Sequence, residues 1–183
     1  MNITLYLAVV MVGVLVACSN DVIQELPNPT AIPNTAQEEN RELGRYLDLI
    51  DPLMERHGDT TQIVNAANVR IQQQSITETN LARQAALLDE WIDQLEWAVP
   101  RLRQDLDEAQ RTTSPRIALA FHGKLIETIQ FDFIGISGLL SHSVRFRNTG
   151  FNDLSVLNNA NEQLLHGRLA ASEMQTLLVE LSN

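Results

Sequence analysis

The sequence predicts an all-α protein, an up-and-down antiparallel bundle of four main helices, on three observations. From Thr35 onward apolar residues recur at alternating steps of three and four, the period of a helix with one buried stripe. Gly, Pro and capping residues punctuate these stripes and leave only short loops, which obliges consecutive helices to run antiparallel. No stretch alternates apolar and polar residues as a half-buried strand would. The expected helices cover about 35–57, 60–110, 115–148 and 152–181, the second of them long and either bent or split.

The first helix is expected to start at Thr35-Ala36-Gln37-Glu38, a capping box in which Thr and Glu each satisfy a backbone amide near the helix start. Its stripe is Leu43, Leu47, Ile50, Met54 and His57, with Pro52 as a candidate kink. Gly58 can take the left-handed conformation that closes a helix, and Asp59 with Gln62 restarts the chain, so a break is expected there. The second region carries the clearest period: Leu81, Ala85, Leu88, Ile92, Leu95, Val99, Leu102, Leu106 and Ala109 step by four and three without a miss. This is a coiled-coil-like seam. Upstream it degrades through Gln72-Gln73-Gln74-Ser75 to Asn80, and Ser75 with Glu78 resembles a second capping box. One long helix is the first reading of 60–110 and two helices the alternative. Pro100, lacking an N–H, is expected to bend it.

Ser114 as N-cap and Pro115 at the first helical position open the third helix. It is apolar nearly all round, from Ile117, Leu119, Phe121 and Leu125 to Leu139, Leu140 and Val144, as befits the buried centre of a bundle. His122, Lys124, Glu127, Asp132 and His142 interrupt it too often for a membrane span. Gly123, Gly135 and Gly138 each cost ~1 kcal/mol of helix propensity relative to Ala, which close approach of a neighbouring helix would offset. After Gly150, Asn152 or Asp153 caps the fourth helix. Its seam is Leu157, Ala160, Leu164, Gly167, Ala171, Met174, Leu178 and Leu181, with small residues at 160, 167 and 171 to receive the bulky third helix.

Charge narrows the function. The 183 residues hold 23 Asp and Glu against 13 Lys and Arg, a net charge of -10 and a pI near 4.7. That balance disfavours a phosphate backbone, so nucleic acid is not an expected partner, and it gives no attraction to anionic lipid. With 44% hydrophobic and 20% charged residues the chain has material for a packed core.

Residues 1–17 contain no charged side chain and end in Leu15-Val16-Ala17, directly before Cys18, the single cysteine. An aliphatic residue, a tolerant position, a small residue and then Cys resembles the signal peptide and lipobox of bacterial lipoproteins. The resemblance covers residues 1–18 only, and Met1-Asn2-Ile3-Thr4 departs from it in carrying no Lys or Arg. It implies removal of residues 1–17 and a lipid on Cys18. An uncleaved N-terminal anchor and a buried free thiol are the competing readings. Residues 18–34, with Pro27, Pro29 and Pro33, read as an extended tether, which at ~3.1 Å per residue reaches roughly 40 to 50 Å. The bundle domain is then 35–183. A loop packed on the domain is the alternative to a tether.

Catalytic signatures are absent from the sequence: no glycine-rich phosphate loop, His-Glu-x-x-His, cysteine pair, nucleophile elbow or pair of Glu-x-x-His motifs. His57, His122, His142 and His166 are scattered, and His122 and His142 point to nearly opposite sides of one helix at ~100° per residue. A haem or metal joining one of them to Met54 or Met174 is conceivable, although satisfied or exposed histidines are the default. Asp132, between Phe131 and Phe133, is the one carboxylate deep in an apolar stretch. It is expected either to pair with Arg or Lys from another helix or to sit in a pocket with a raised pKa. Asp89, Glu90, Asp93 and Glu96 read as a solvated acidic face. Trp91 and Trp97 fall off the main seam; Trp97 fills a second seam or is an exposed anchor for a partner. Arg145 and Arg147 suit the end of the third helix.

The expected protein is therefore a non-enzymatic lipoprotein on the extracytoplasmic side of a cell membrane, inner or outer. It would be held by its lipid, with no other cofactor, and bind a protein partner of the envelope, with the oligomeric state left open. The alternative is a solute-binding or ligand-sensing bundle with a pocket near Phe131, Asp132 and Phe133.

Overall fold

The computed structural model describes residues 34–182, with side chains described from Gln37. Leu15, Val16, Ala17, Cys18 and the tether up to residue 33 lie outside the described residues. Those described are 92% helical, which leaves room for three short connections only. Four helices, α1 (Asn34–Thr77), α2 (Leu81–Arg111), α3 (Leu119–Thr149) and α4 (Leu154–Leu181), form an all-α bundle without a strand among the described residues. A 3-10 turn, Arg116–Ala118, leads into α3. Cross-helix pairs rise in number along one helix as they fall along the next: Arg56 with Asp105 and Arg70 with Glu90 between α1 and α2, Lys124 with Glu173 and Arg145 with Asp153 between α3 and α4. Neighbours in sequence are thus antiparallel.

The division of the first 78 residues or so differs from the expected one. No break falls at Gly58, and α1 runs on to Thr77, so the expected helices at 35–57 and 60–110 are replaced by 34–77 and 81–111. The reason is burial. Leu43, Tyr46, Ile50, Leu53, His57, Thr60, Val64, Ala67 and Ile71 are all buried at steps of three and four, and this stripe passes Gly58 without interruption. Burial along the roughly five turns from Gly58 to Thr77 outweighs a glycine penalty of ~1 kcal/mol. Thr60 and Thr61, read as part of a restart, instead return their hydroxyls to the carbonyls of Arg56 and His57. The chain breaks at 78–80, where Asn80 Oδ1 accepts from the amides of Ala82 and Arg83 and Glu78 accepts from the Asn80 amide. Pro52 and Pro100 sit inside unbroken helices.

One other boundary also shifts. Ser114 caps no helix, because Pro115 precedes the 3-10 turn and α3 proper begins at Leu119. At the far end the break expected at Gly150 is a left-handed closure, with φ 69° and the Gly150 amide donating to the Phe146 carbonyl, and Asp153 accepts from the Val156 amide as the expected N-cap of α4. No helix among the described residues is long and apolar enough to cross a membrane.

Glycines decide how closely α3 and α4 approach. A Cβ on Gly135 would lie 2.6 Å from Leu164 Cγ and 3.0 Å from the Ala160 carbonyl oxygen, and one on Gly138 2.9 Å from Ala160 Cβ. Gly167 faces back, where a Cβ would meet Asp132 Oδ1 at 2.7 Å. Gly123 does not fit this pattern: nothing lies within 4 Å of its would-be Cβ, so no neighbour offsets its cost.

The core divides into two apolar clusters. One gathers Val64, Ile71, Trp91, Leu95, Ile136 and Leu157, among others, toward the end where α1 turns into α2. The other gathers Leu43, Ile50, Leu106, Phe121 and Ile129, with Met174 and Leu177 of α4 at its margin, toward the start of α1. Phe133 packs against both.

Candidate functional site

Between the two clusters lies a layer of polar side chains from α1, α2 and α3, with Gly167 of α4 packed against it. On α1, His57 falls between Leu53 of one cluster and Val64 of the other; on α3, Asp132 falls between Ile129 and Ile136. His57 Nε2 and Asp132 Oδ2 are 3.1 Å apart. A carboxylate only accepts, so Nε2 carries the proton and donates. His57 Nδ1 is buried with no hydrogen-bond partner among the described residues. Gly167 of α4 leaves space for the other carboxylate oxygen. Arg168 follows it, its pKa lowered by burial and raised in part by the field of Asp132. The half-buried Asp132 is paired across helices, but its direct partner is a histidine from α1 rather than the expected Arg or Lys, with Arg168 acting at longer range.

The α2 contribution is Asp105, fully buried at 0% exposure. Arg56 Nε donates to Asp105 Oδ1 at 2.6 Å and Arg56 Nη2 donates to Glu108 Oε2 at 2.6 Å. The hydrogen bond that Arg56 donates to Asp105 is the main reason the Arg56 pKa is raised. Nothing in the sequence had singled out this pair. The signal was weak, since at ~100° per residue Leu102 and Ala109 stand about 60° and 40° from Asp105 on the same side, which puts Asp105 at the edge of the seam rather than within it.

A second polar pair lies deeper in the cluster at the start of α1. Tyr46 Oη lies 2.8 Å from His122 Nδ1. Burial pushes the Tyr46 phenol up to about 12, so it stays protonated and donates. Burial also lowers the His122 pKa, opposed by a hydrogen bond to the Thr112 backbone. His142 is buried near the start of α4, its pKa lowered mainly by desolvation and raised in part by Asp153. His166 is exposed and meets the edge of Phe131 at 5.4 Å between centroids. Met54 and Met174 pack at the margin of the apolar cluster, and no group of three His, Cys, Asp or Glu among the described residues is placed to hold a metal.

The tryptophans separate. Trp91, a candidate partner contact, is 1% exposed and belongs to the core, because the arc that α2 buries between α1 and α3 is wider than the single seam. Trp97 is half-buried against the same cluster, with the Arg101 guanidinium 4.2 Å above its ring. The acidic face is solvated and partly paired, Asp89 with Arg147 at 3.3 Å and Glu90 with Arg70 at 2.5 Å. Arg145 bonds Asp153 and stacks on Phe151.

Two surface grooves lie away from the polar layer. One, of about 630 Å³, runs beside the C-terminal half of α2 and is lined by Leu49, Arg103, Gln104, Asp107 and Arg111, among others. The other, of about 390 Å³, lies between Leu43, Ile117, Phe121, Leu177 and Leu181 where α1 enters the bundle. Neither is lined by Phe131, Asp132 or Phe133, where a ligand pocket was the alternative expectation. Asp132 is instead in contact with His57 and Gly167, and Phe133 packs into the core.

Fold and polar layer together define an acidic four-helix bundle with two apolar cores. No protein-family model, curated protein or solved structure matches the chain.

Proposed function

We infer that this chain is a lipid-anchored, extracytoplasmic lipoprotein that serves as a non-enzymatic binding or structural module of the cell envelope. The observation that carries the reading is Leu15-Val16-Ala17-Cys18 at the end of an uncharged apolar segment, followed by the proline-rich stretch to Pro33. Two filled cores, with exposed apolar side chains left on the outer face of α4, suit a protein that works through its surface.

A solute-binding bundle is the second reading. It is favoured by the groove beside α2, whose volume of about 630 Å³ falls within the range of small-molecule sites and which presents Arg103, Gln104 and Arg111.

Intact-mass analysis of the native protein from membranes tests the anchor. The expected product begins at a lipid-modified Cys18; a bare sulfur with Met1 attached overturns the reading. Crosslinked pull-down from membranes, with Cys18→Ser as control, tests the binding role. Recovery of one protein that depends on the anchor supports it. A melting shift caused by small molecules and lost in Arg103→Ala favours the second reading.

A further inference from the structure

The apolar groove of about 390 Å³ where α1 enters the bundle has a buried floor and an open rim. Phe121 and Leu43 at the floor are 1% and 8% exposed, whereas Ile117 at the rim is 47% exposed and Leu177 and Leu181 are half-buried. Asn40 lines the same groove, so the chain that leads into α1 arrives beside it. That chain carries an apolar pattern of its own. Ile23, Leu26, Pro29 and Ile32 recur at every third residue, the repeat of a polyproline helix, and Pro27, Pro29 and Pro33 favour that conformation over an α-helix. In it these side chains share one edge. Gln24, Pro27 and Thr30 fall on a second edge, and Glu25, Asn28 and Ala31 on a third.

We propose that residues 26–32 of this chain turn back along α1 and seat Leu26, Pro29 and Ile32 in the groove. Reach selects this occupant. Asn40 and Leu43 lie ~9 Å and ~14 Å along the helix from Asn34. After a reversal at Pro33, chain returning at ~3.1 Å per residue brings Pro29 level with Asn40, with Ile32 short of the groove's far wall and Leu26 beyond it. A segment joined to its site by so short a connection is present there at an effective concentration of ~mM, which no free partner matches without a much tighter contact. Proline-rich segments also enter apolar, aromatic-floored grooves at small entropic cost, because they are extended beforehand. Charge raises no obstacle. No residue from Leu26 to Pro33 is charged, so Glu180 at the rim meets no carboxylate from the segment. The dock leaves the span from Cys18 to Leu26 free, ~25 Å when extended, and it holds whether or not Cys18 carries a lipid.

The test uses the full chain with Cys18→Ser, so that no native thiol enters the readout. Alkylation of the thiol in Leu181→Cys is expected to quicken about tenfold when Leu26→Asp and Ile32→Asp are added, because the groove then stands open. The thiol in Gln73→Cys, exposed near the other end of α1, is expected to react at one rate in both backgrounds. Leu26 and Ile32 precede the bundle, so helix content should hold. Oxidation of Pro29→Cys with Leu181→Cys is expected to close a disulfide within one chain, and Pro29→Cys with Gln73→Cys to close none. Alkylation indifferent to the two Asp substitutions overturns the proposal, as does a disulfide that forms only between chains or does not form. A rate at Leu181→Cys that falls instead with rising protein concentration gives the groove to a second copy, and one that falls on adding detergent micelles gives it to an acyl chain. Either result, with no response to the Asp substitutions, also overturns it.

Discussion

Gly167 and Asp132 show how one absent side chain can set the place of a charge. Gly167→Ala puts a methyl 2.7 Å from Asp132 Oδ1, so the carboxylate must move and the bond to His57 lengthens or breaks. Gly135→Ala is the harsher change, because the atoms in the way include the Ala160 carbonyl oxygen of α4 and the helices must separate; a loss of ~1–3 kcal/mol is expected in chemical denaturation. Gly58→Ala and Gly123→Ala meet open space and should each gain up to ~1 kcal/mol in the same measurement. The buried histidines give a pH dependence. His122 and His142 have folded pKa values below their ordinary 6.5, so the unfolded chain takes up protons first as pH falls. Their contribution is present above about pH 6.5 and declines below it, at up to ~1.4 kcal/mol per pH unit for each histidine. Denaturation midpoints between pH 7.5 and 5 will show this, and His122→Gln should flatten the slope. On the alkaline side, absorbance titration should place Tyr46 at about 12. Asp132, half-buried, could be picked out in the sequence because Phe flanks it on both sides. Its histidine partner could not, since 75 residues separate the two and only the packing of α1 on α3 joins them.

At the level of the helix, the seam of α2 was legible from Leu88 to Ala109 because it repeats without error, although Leu81 and Ala85 at its head are exposed, whereas the end of α1 was not legible. Gly58-Asp59-Thr60-Thr61 carries the local grammar of a stop and restart, and only the burial of Thr60, Val64 and Ile71 against the rest of the bundle reveals that the helix continues. The same limit hid the clamp between α1 and α2. Arg56→Ala leaves Asp105 buried without its cation, and a loss of about 3 kcal/mol is expected, since removing one partner of a buried pair costs ~3–5 kcal/mol. Arg56 is itself partly exposed, hence the lower figure. Replacing both, Arg56→Met with Asp105→Leu, should recover most of that loss. If the double variant is as unstable as Arg56→Ala, the pair is needed for alignment of the helices rather than for neutralising Asp105.

Across the whole molecule, the fold class followed from periodicity, but the partition of the core did not, because α1, α2 and α3 each place a polar residue within or beside an otherwise regular stripe. The polar layer of His57, Asp105 and Asp132 separates two apolar clusters, and these need not open together. Native-state hydrogen exchange in rising denaturant is expected to resolve two sets of amides, one around Ile71 and Leu95, the other around Ile50 and Phe121. A single common isotherm would mean that the layer transmits opening from one half to the other. The continuity of α1 has a mechanical side as well. Spanning 44 residues, or ~66 Å, it is the one strut that enters at the start of the body and reaches its opposite end. A load applied at Asn34 and resisted at the far end therefore acts along the strut, and its many lateral attachments share the strain in shear instead of parting one after another.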